Sequence, residues 1–338
     1  MSPLTPSVKP APAASEGEKV RVLADLPVSP TIELLLAGRV ELLPWHAAQG
    51  AEARLIAAIY TYGHPRVDAA MLDRMPAVHV ISNFGVGVDH IDVTAAAARG
   101  IAVGNTPGIL DATTADLAFA LLLAAGRRLV EGDRYARGPN FLHYDPSYML
   151  GREVHGSTLG ILGMGRIGEQ VARRARAFDM RILYHNRQRR PAVEEALEVC
   201  YVTRDELLAA ADYVMLTVPL TPQTQRLIGR AELVRMKPTA ILINACRGAV
   251  VDTEALTEAL AARTIYAAAL DVTEPEPLPR DHPLLRLDNV IITPHLGSAT
   301  EQTRQRMAEV SIENLLAGLS GRPLPYPVVP TVGGSASV

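Results

Sequence analysis

The sequence predicts an α/β protein with two doubly wound domains whose sheets are mostly parallel. Short apolar runs bounded by Gly or Pro alternate with longer amphipathic runs almost from end to end, which is typical of βαβ units. The alternation occurs as two series, and a chain of 338 residues is long enough for two domains of ordinary size. An apolar content of 48% beside 20% charged residues is typical of a soluble globular protein.

The elements follow in order along the chain. The first series has predicted strands in VRVLADLP, RLIAAIYTYG, VHVISNFGVG and IAVGNTPG, with helices in TIELLLAGR, DAAMLDRMP and TAAAARG. A single long helix is predicted next, from Asp111 through LDATTADLAFALLLAAGRRLVEGDRYARG. The second series has predicted strands in TLGILG, RILYHN, YVMLTVP, TAILINA, YAAALDV and NVIITPH, with helices in GEQVARRARAF, RDELLAA, AELVRM and TEALTEALAAR. A last apolar helix, near residues 298–319, is expected to return to the first domain.

Composition narrows the classes of function. The net charge of −3 gives no overall basic field for nucleic acid or an anionic membrane, and no apolar run reaches the ~18–20 residues of a spanning helix. Two cysteines cannot form a disulfide framework and suit a reducing compartment. Residues 1–19 are rich in Pro, Ala and Ser, which predicts a disordered tail instead of a secretory signal, and hence a cytoplasmic protein. No metal site is predicted, because the sequence lacks H-E-x-x-H and clustered cysteines.

The stretch TLGILGMGRIGEQVARRARAF places three glycines in G-x-G-x-x-G spacing between a strand and a helix. Gly163 makes a tight turn, Gly165 lets the backbone approach a pyrophosphate, and Gly168 lets the helix pack close to the strand. The helix N-terminus adds free N–H groups and a partial positive charge. Alone the pattern is weak, but the flanking strand and helix make it specific for a dinucleotide. The predicted cofactor loop comprises Gly163, Met164, Gly165, Arg166, Ile167 and Gly168.

The next strand ends in RILYHNRQRR, at a place where a dinucleotide-binding unit usually carries an acid. An acid there would accept hydrogen bonds from the ribose of NAD and would repel a 2′-phosphate. Asn186 is neutral, and Arg187 can meet a phosphate through a paired, charge-assisted contact. Arg189 and Arg190 add positive potential, although a solvated basic loop is the alternative interpretation. The cluster predicts NADPH as the preferred cofactor, with NADH possible.

Polar groups suited to a 2-oxo acid follow three strands of the second series. Arg247, in INACRGAVVD, can bind a carboxylate or polarise a carbonyl with its planar fork. His295, in IITPHLGSAT, can donate the proton that is needed when hydride transfer to a ketone leaves an alkoxide. A neighbouring acid would keep that ring protonated, and LDVTEPEPLP offers Asp271, Glu274 and Glu276. Each residue has an ordinary structural explanation by itself, and only the conjunction singles out His295. Cys246 is expected to be a small residue packed beside the cofactor.

These stretches resemble the D-isomer-specific 2-hydroxyacid dehydrogenase family. The resemblance runs from about Val20 to about Leu324. It includes FGVGVDHIDV, GNTPG, TLGILGMGRIG, INACRG, LDVTEPEPLP and TPHLGSAT in the family's order and spacing. Within the family, LYHNRQRRP and DVTEPEPLPRDHPLL are most similar to the glyoxylate/hydroxypyruvate reductases.

The resemblance implies a role for each matching position. Arg247 would bind and polarise the substrate, and Glu276 would support His295 as the proton donor. The backbone of Val86 and Gly87 would hold the substrate carboxylate. Asp271 would orient the carboxamide of nicotinamide. The remaining implied positions are Ser298 beside the substrate and Pro219, Ala245 and Gly297 beside the cofactor, together with Asn186, Arg187 and Arg190.

The resemblance also implies a layout. Residues 20–105 and 299–330 would form the substrate domain, residues 106–298 the Rossmann-like cofactor domain, and the active site would lie in the cleft between them. The family is typically a homodimer joined through its cofactor domains, and GPNFLHYDPSYMLG would lie near the partner's cleft. Near relatives often carry tryptophans in that segment, whereas this chain has Phe141 and Tyr144 and its one Trp is Trp45.

The predicted function is NADPH-preferring reduction of small 2-oxo acids, with glyoxylate and hydroxypyruvate the leading substrates and D-2-hydroxy acids the products. A second interpretation is a reductase of larger acids, such as 2-ketogluconate or phenylpyruvate, because the changed aromatic segment would admit a longer chain. A third is a nucleotide-sensing, corepressor-like regulator, because fold alone does not exclude it.

Overall fold

A computed structural model of the protein describes residues 19–25 and 27–329, so the predicted tail lies outside the described residues except for Lys19. The strands are β1 (Val20–Ala24), β2 (Val40–Pro44), β3 (Ile56–Thr61), β4 (Val80–Asn83), β5 (Ala102–Gly104), β6 (Thr158–Leu162), β7 (Arg181–His185), β8 (Cys200–Tyr201), β9 (Tyr213–Leu216), β10 (Ile241–Asn244), β11 (Ala267–Leu270) and β12 (Val290–Ile292). The α-helices are α1 (Pro30–Leu36), α2 (Ala69–Arg74), α3 (Val93–Ala98), α4 (Asp111–Gly126), α5 (Leu129–Ala136), α6 (Arg166–Arg176), α7 (Pro191–Leu197), α8 (Arg204–Ala210), α9 (Arg230–Arg235), α10 (Thr253–Ala261) and α11 (Glu301–Leu319). Among these helices none has the length and apolar character that crossing a membrane requires.

The strands form two separate sheets. One is five-stranded in the order β2-β1-β3-β4-β5, and the other is seven-stranded in the order β12-β11-β10-β9-β6-β7-β8. Every ladder between these strands is parallel. The smaller sheet has the 2-1-3-4-5 order of flavodoxin-like folds, and the larger one extends the 3-2-1-4-5-6 order of dinucleotide-binding folds by one strand. The predicted α/β class with doubly wound parallel sheets is therefore confirmed.

The chain divides into two compact units. One runs up to Leu110 and resumes at Thr300, and the other runs from Asp111 to Ala299. The five-stranded sheet and helix α11 belong to the first unit, and the seven-stranded sheet belongs to the second. The assignment of substrate binding to the first unit stays a prediction.

In the first unit, alternate side chains of the central strands face opposite sides of the sheet. Ile59 and Ile81 belong to an apolar cluster that also includes residues of helix α2. Tyr60 and Ser82, one residue further on, hydrogen bond to Ser311 of α11 at 2.8 and 2.6 Å. Helix α11 therefore covers the second face, because a two-residue period sends neighbouring side chains to opposite faces.

The second unit follows the same rule. Ile241 and Ile243 of β10 lie in an apolar cluster with buried residues of α4 and α6, whereas Leu242 lies in another cluster with residues of α8 and α10. Helices therefore cover both faces of the seven-stranded sheet. This is why inner strands such as β9 and β11 are buried and apolar throughout instead of alternating.

The predicted single helix from Asp111 is wrong. Helix α4 ends at Gly126, and α5 begins at Leu129. Arg128 between them is left-handed, with φ 53° and ψ 37°, which turns the chain out of the helix. A Cβ at Gly126 would lie 3.3 Å from ring carbons of Tyr213, so α4 reaches its close contact with the sheet where it ends.

Three elements of the structure were not predicted: strands β2 and β8 and helix α7. Both strands lie at edges of their sheets. Strand β2 ends in a proline, which edge strands tolerate but which weakens the strand pattern in sequence. Helix α7 has only 7 residues, too few to show a clear helical period.

Candidate active site

The predicted site residues of the second unit follow six strands of the seven-stranded sheet, in loops or in the first turn of a helix. They are residues 163–168 after β6, of which 166–168 begin helix α6, residues 186–190 after β7, Pro219 after β9, Ala245 and Arg247 after β10, Asp271 and Glu276 after β11, and residues 295–298 after β12. Because the strands are parallel, their carboxyl ends share one edge of the sheet. The strand order reverses at β6, with β7 on one side and β9 on the other. Ligands of doubly wound sheets bind at such a switch point.

The glycine loop is held between β7 and β9. Gly163 has φ 103°, donates its N–H to the His185 carbonyl at 3.1 Å, and accepts from Thr217 Oγ1 at 2.6 Å. A Cβ at Gly163 would lie 2.7 Å from the Thr217 carbonyl carbon. A Cβ at Gly168 would overlap the Gly163 carbonyl oxygen. Both positions therefore require glycine for reasons of backbone packing.

The middle glycine leaves space. Gly165 is the N-cap of α6, and a Cβ there would meet no atom of the described residues within 4 Å. The first N–H groups of a helix lack intrahelical partners and carry a partial positive charge. The residues present therefore fit a dinucleotide, with room for its pyrophosphate in front of the α6 N-terminus.

Two residues of the basic loop brace the glycine loop. Asn186 accepts from the Met164 N–H through Oδ1 at 2.6 Å and donates to the Met164 carbonyl through Nδ2 at 3.3 Å. Arg190 donates to the same carbonyl at 2.7 Å and pairs with Glu169. The charge of Arg190 is therefore balanced inside the loop by a carboxylate that the sequence interpretation did not include.

The other two arginines of this loop, Arg187 and Arg189, differ in whether they form an ion pair. Arg189 makes a two-pronged pair with Glu194 at 2.8 and 2.7 Å, and the Tyr184 hydroxyl donates to Glu194 at 2.7 Å. The Arg189 guanidinium and the Tyr184 hydroxyl hold the pKa of Glu194 below its usual range. Arg187 is exposed, and within residues 19–25 and 27–329 its side chain has no hydrogen bond or ion pair. In this loop Arg187 is the cation that no carboxylate of the described residues neutralises.

A buried carboxylate holds the turn that carries His295. Asp271 is 2% exposed, and its Oδ1 accepts from Thr293 Oγ1 at 2.6 Å and from the Leu296 N–H at 2.7 Å. Its Oδ2 accepts from the Gly297 N–H at 2.8 Å. The His295 N–H donates to the Asp271 carbonyl at 2.9 Å, and His295 has φ 57°. A carboxylate has about four acceptor sites, so Asp271 keeps one beyond these three side-chain bonds.

His295 and Glu276 form a hydrogen-bonded pair. The His295 Nδ1 and the Glu276 Oε1 lie 2.8 Å apart, and their side chains are 32% and 41% exposed. Since Nδ1 faces the carboxylate, the second N–H of a protonated ring is on Nε2. The pair can therefore deliver a proton from Nε2 while Glu276 keeps the ring oriented.

The turn carrying Arg247 is held by Asn244, which is 1% exposed. Asn244 donates through Nδ2 to the Arg247 carbonyl at 2.9 Å and accepts from the Cys246 N–H at 3.1 Å. The guanidinium of Arg247 donates to the Cys246 carbonyl at 2.8 Å. Burial raises the pKa of the Cys246 thiol to about 11, which disfavours the thiolate near neutral pH.

At Gly248, the turn that carries Arg247 packs against the loop that carries Glu276. A Cβ at Gly248 would overlap the Thr273 carbonyl and would lie 2.6 Å from the Glu274 nitrogen. The two backbone segments therefore touch directly, and this contact sets the spacing between the turn of Arg247 and the loop of Glu276.

The residues predicted to contact the substrate, apart from Arg247 and His295, come from both units. Val86 and Gly87 follow β4 in the first unit and are half-buried. Ser298 follows the His295 turn in the second unit and is 9% exposed. Among the described residues, no three His, Cys, Asp or Glu side chains gather as a metal site.

Sequence reasoning missed the residues that hold these groups in place. Thr293 and Asn244 position the turns of His295 and Arg247, and Glu169 and Glu194 neutralise two arginines. Thr293 and Asn244 could have been found, since Asn244 is a polar residue at the end of a buried strand and Thr293 directly follows a strand. Glu169 and Glu194 lie on helices, where the sequence does not distinguish a half-buried acid from an exposed one.

A doubly wound sheet with a glycine turn at its switch point, and with a His–Glu pair and an arginine along the same edge, defines a nicotinamide-dependent oxidoreductase. The family profile described as "D-isomer specific 2-hydroxyacid dehydrogenase, NAD binding domain" matches residues 119–297. The chain belongs to the D-isomer-specific 2-hydroxyacid dehydrogenase family. The resemblance inferred from the motifs and the predicted enzyme class, an NAD(P)-dependent oxidoreductase, are both confirmed.

Relatives and solved structures agree with this assignment. A glyoxylate reductase of Korarchaeum cryptofilum is 53% identical over 252 residues, covering 74% of this chain and 76% of the relative. A crystal structure of a Thermus thermophilus protein has a TM-score of 0.83 at 47% identity and covers 91% of this chain and 100% of that one. The NADPH-dependent glyoxylate/hydroxypyruvate reductase of Sinorhizobium meliloti, in complex with NADP and malonate, has a TM-score of 0.84 at 33% identity, covering 92% and 97%.

Proposed function

We propose that this protein reduces small 2-oxo acids, with glyoxylate and hydroxypyruvate the leading substrates, to D-2-hydroxy acids, and that it prefers NADPH. The observation that carries the proposal is the His295–Glu276 pair, 2.8 Å apart, on the same sheet edge as the glycine turn and Arg247. The relatives named as glyoxylate reductases support the substrate class.

The chemistry follows from the positions of the side chains. When bound, the nicotinamide cofactor supplies a hydride to the carbonyl carbon of the substrate. Protonated His295 gives its Nε2 proton to the carbonyl oxygen as negative charge develops there. Glu276 accepts the Nδ1–H, orients the ring and stabilises its positive charge. Arg247 binds and polarises the 2-oxo acid through its planar guanidinium.

The remaining assignments complete the proposed site. The backbone of Val86 and Gly87 binds the substrate carboxylate, and Ser298 lies beside the substrate. Three hydrogen bonds from its own turn leave the Asp271 carboxylate one acceptor site. Asp271 uses this site for the carboxamide of nicotinamide. Pro219, Ala245 and Gly297 line the cofactor site.

The cofactor preference is assigned mainly to Arg187. Replacing Arg187 by Ala is expected to weaken NADPH binding by about 10- to 100-fold, because a charge-assisted hydrogen bond to the 2′-phosphate is lost, and to leave NADH binding unchanged. Arg189→Ala is the matched control, since Arg189 is already paired with Glu194. Fluorescence titration with both cofactors measures the effect. An unchanged NADPH/NADH ratio in Arg187→Ala would remove this residue from the assignment.

The second unit also carries the surface proposed for a homodimer. Exposed large apolar side chains cluster between residues 129 and 150. They are Leu129, Val130, Phe141, Leu142, Tyr144, Tyr148 and Leu150. Large apolar patches are rare on monomeric proteins, and a second copy of the chain would bury these side chains.

The dimer is tested by sedimentation velocity. The wild-type protein is expected to sediment as a dimer, and Leu142→Glu, at a side chain 83% exposed, is expected to shift it toward monomer because a charge would be buried in the interface. Leu34→Glu, at a side chain 77% exposed in the first unit, is the matched control and should remain dimeric. A monomeric wild-type protein would contradict the proposal.

The substrate assignment is tested by steady-state kinetics with NADPH and with NADH. The panel is glyoxylate, hydroxypyruvate, 2-ketogluconate and phenylpyruvate. We expect the highest kcat/KM for glyoxylate or hydroxypyruvate with NADPH. A clear preference for the larger acids would favour the second interpretation, and the absence of turnover with either cofactor would favour the corepressor-like regulator.

A further inference from the structure

The loop after β4, residues 84–88, has its carbonyl groups bound by two buried asparagines. Asn83 is fully buried, and its Nδ2 donates to the carbonyl oxygens of Gly85 and Gly87, both at 3.0 Å. Asn105 is 6% exposed, and its Nδ2 donates to the Val86 carbonyl at 2.8 Å. Three successive carbonyl groups are thus turned toward side-chain amides of the first unit.

The hydrogen bonds to the carbonyl groups of residues 85–87 determine the direction of the backbone N–H groups of residues 86–88. In a planar trans peptide, the carbonyl of one residue and the N–H of the next point in opposite directions. Binding the carbonyls of residues 85–87 therefore turns the N–H groups of Val86, Gly87 and Val88 away from the two amides. In the part of the chain that the structure describes, these N–H groups have no acceptor. Consecutive N–H groups without internal partners form a concavity that binds anions.

The two asparagines are themselves held in place, Asn83 through its amide and Asn105 through its backbone. Thr61 donates through Oγ1 to Asn83 Oδ1 at 2.7 Å, so the amide of Asn83 is oriented with its nitrogen toward the loop. Thr61 is 0% exposed. The backbone carbonyl of Asn105 accepts from Asn314 Nδ2 at 2.9 Å. Because Asn83 Oδ1 is bonded on the side away from the loop, rotation of that amide would leave buried polar groups without partners, whereas the Asn314 bond holds the backbone of Asn105 in place.

We propose that Asn83 and Asn105 are positioning residues that orient the N–H groups of residues 86–88 toward the substrate carboxylate. The inference rests on the proposed function, which assigns that carboxylate to Val86 and Gly87. Asparagine suits this task because its neutral amide donates hydrogen bonds to the carbonyls without adding charge near an anion. An aspartate at either position would repel both the carbonyls and the substrate.

The test compares Asn105→Leu with wild type. We expect KM for glyoxylate and the inhibition constant of oxamate, an unreduced analogue with the same carboxylate, to rise together by about tenfold. The dissociation constant of NADPH should not change, and kcat should change little. This split between KM and kcat would not result from general loss of structure. Thr61→Val, which is isosteric and removes only the hydroxyl that orients Asn83, should give a smaller rise in the same two constants.

Ser82→Ala is the matched control. Ser82 is 0% exposed and donates to the Ser311 carbonyl at 2.6 Å, so its replacement removes a buried hydrogen bond beside Asn83 without touching the loop. The inference would be overturned if Thr61→Val left KM for glyoxylate and the inhibition constant of oxamate unchanged, while Asn105→Leu either left them unchanged or gave no folded protein. It would also be overturned if Ser82→Ala raised both constants as much as the other variants do. A wild-type protein that fails to reduce 2-oxo acids would instead overturn the proposed function.

Discussion

Replacing His295 by alanine is expected to lower kcat for 2-oxo acid reduction by about 10²–10⁴, the usual contribution of a general acid. The reason is that Nε2 of His295 supplies the proton to the developing alkoxide, and alanine leaves water as the donor. The dissociation constant of NADPH should change little, because the ring is assigned to the substrate and not to the cofactor. Steady-state kinetics with glyoxylate and a separate cofactor titration measure the two quantities.

The structure offers a matched control for this variant. His155 lies 3.5 Å from Asp179 on the surface of the same unit, so it is also a histidine beside a carboxylate, with 69% of its side chain exposed. His155→Ala should leave kcat unchanged. If His295→Ala lowered kcat by less than about threefold, the effect would be far smaller than the contribution of a general acid, and another group would have to donate the proton.

Gly248→Ala is expected to lower kcat/KM by about 10² or more and the free energy of unfolding by about 1–3 kcal/mol. The added Cβ would overlap the Thr273 carbonyl and approach the Glu274 nitrogen, and backbone atoms cannot move aside as a side chain can. The clash is relieved only when the turn of Arg247 moves away from the loop of Glu276. Kinetics and urea unfolding together measure the effect.

Gly132→Ala is the control for this glycine variant. Gly132 lies in helix α5, and a Cβ there would meet no atom of the described residues within 4 Å. Alanine in a helix should leave activity unchanged and raise the free energy of unfolding by about 0.5–1 kcal/mol. Wild-type kcat/KM in Gly248→Ala would show that the contact between the two loops does not position the active site.

The glycine turn was the most predictable feature of the second unit. Gly163, Gly165 and Gly168 lie a few residues apart in one strand–turn–helix unit, where Gly163 and Gly168 meet backbone atoms closely and Gly165 leaves space in front of the helix. Their spacing is therefore visible in the sequence itself. The pairing of His295 with Glu276 was inferred through the family resemblance and lies at 2.8 Å in the structure.

The electrostatics of the basic loop were not predictable in this way. The sequence favoured Arg187 for the phosphate contact, but it did not show which arginines of the cluster are paired with carboxylates. In the structure, Arg189 pairs with Glu194 and Arg190 with Glu169. Glu169 lies on α6, before strand β7, so its contact with Arg190 forms only when that helix packs beside the loop.

By itself the sequence determined the alternation of strands and helices, the glycine turn and the membership of a family of dehydrogenases, because apolar periodicity and motif spacing act over a few residues. The tertiary structure alone decided which polar groups hold the loops in place. Asp271 holds Thr293 and Gly297, and Asn83 and Asn105 bind one loop together, although these residues are separated along the chain. Such contacts exist only once parallel strands bring their carboxyl ends to a common edge, and no local pattern records that juxtaposition.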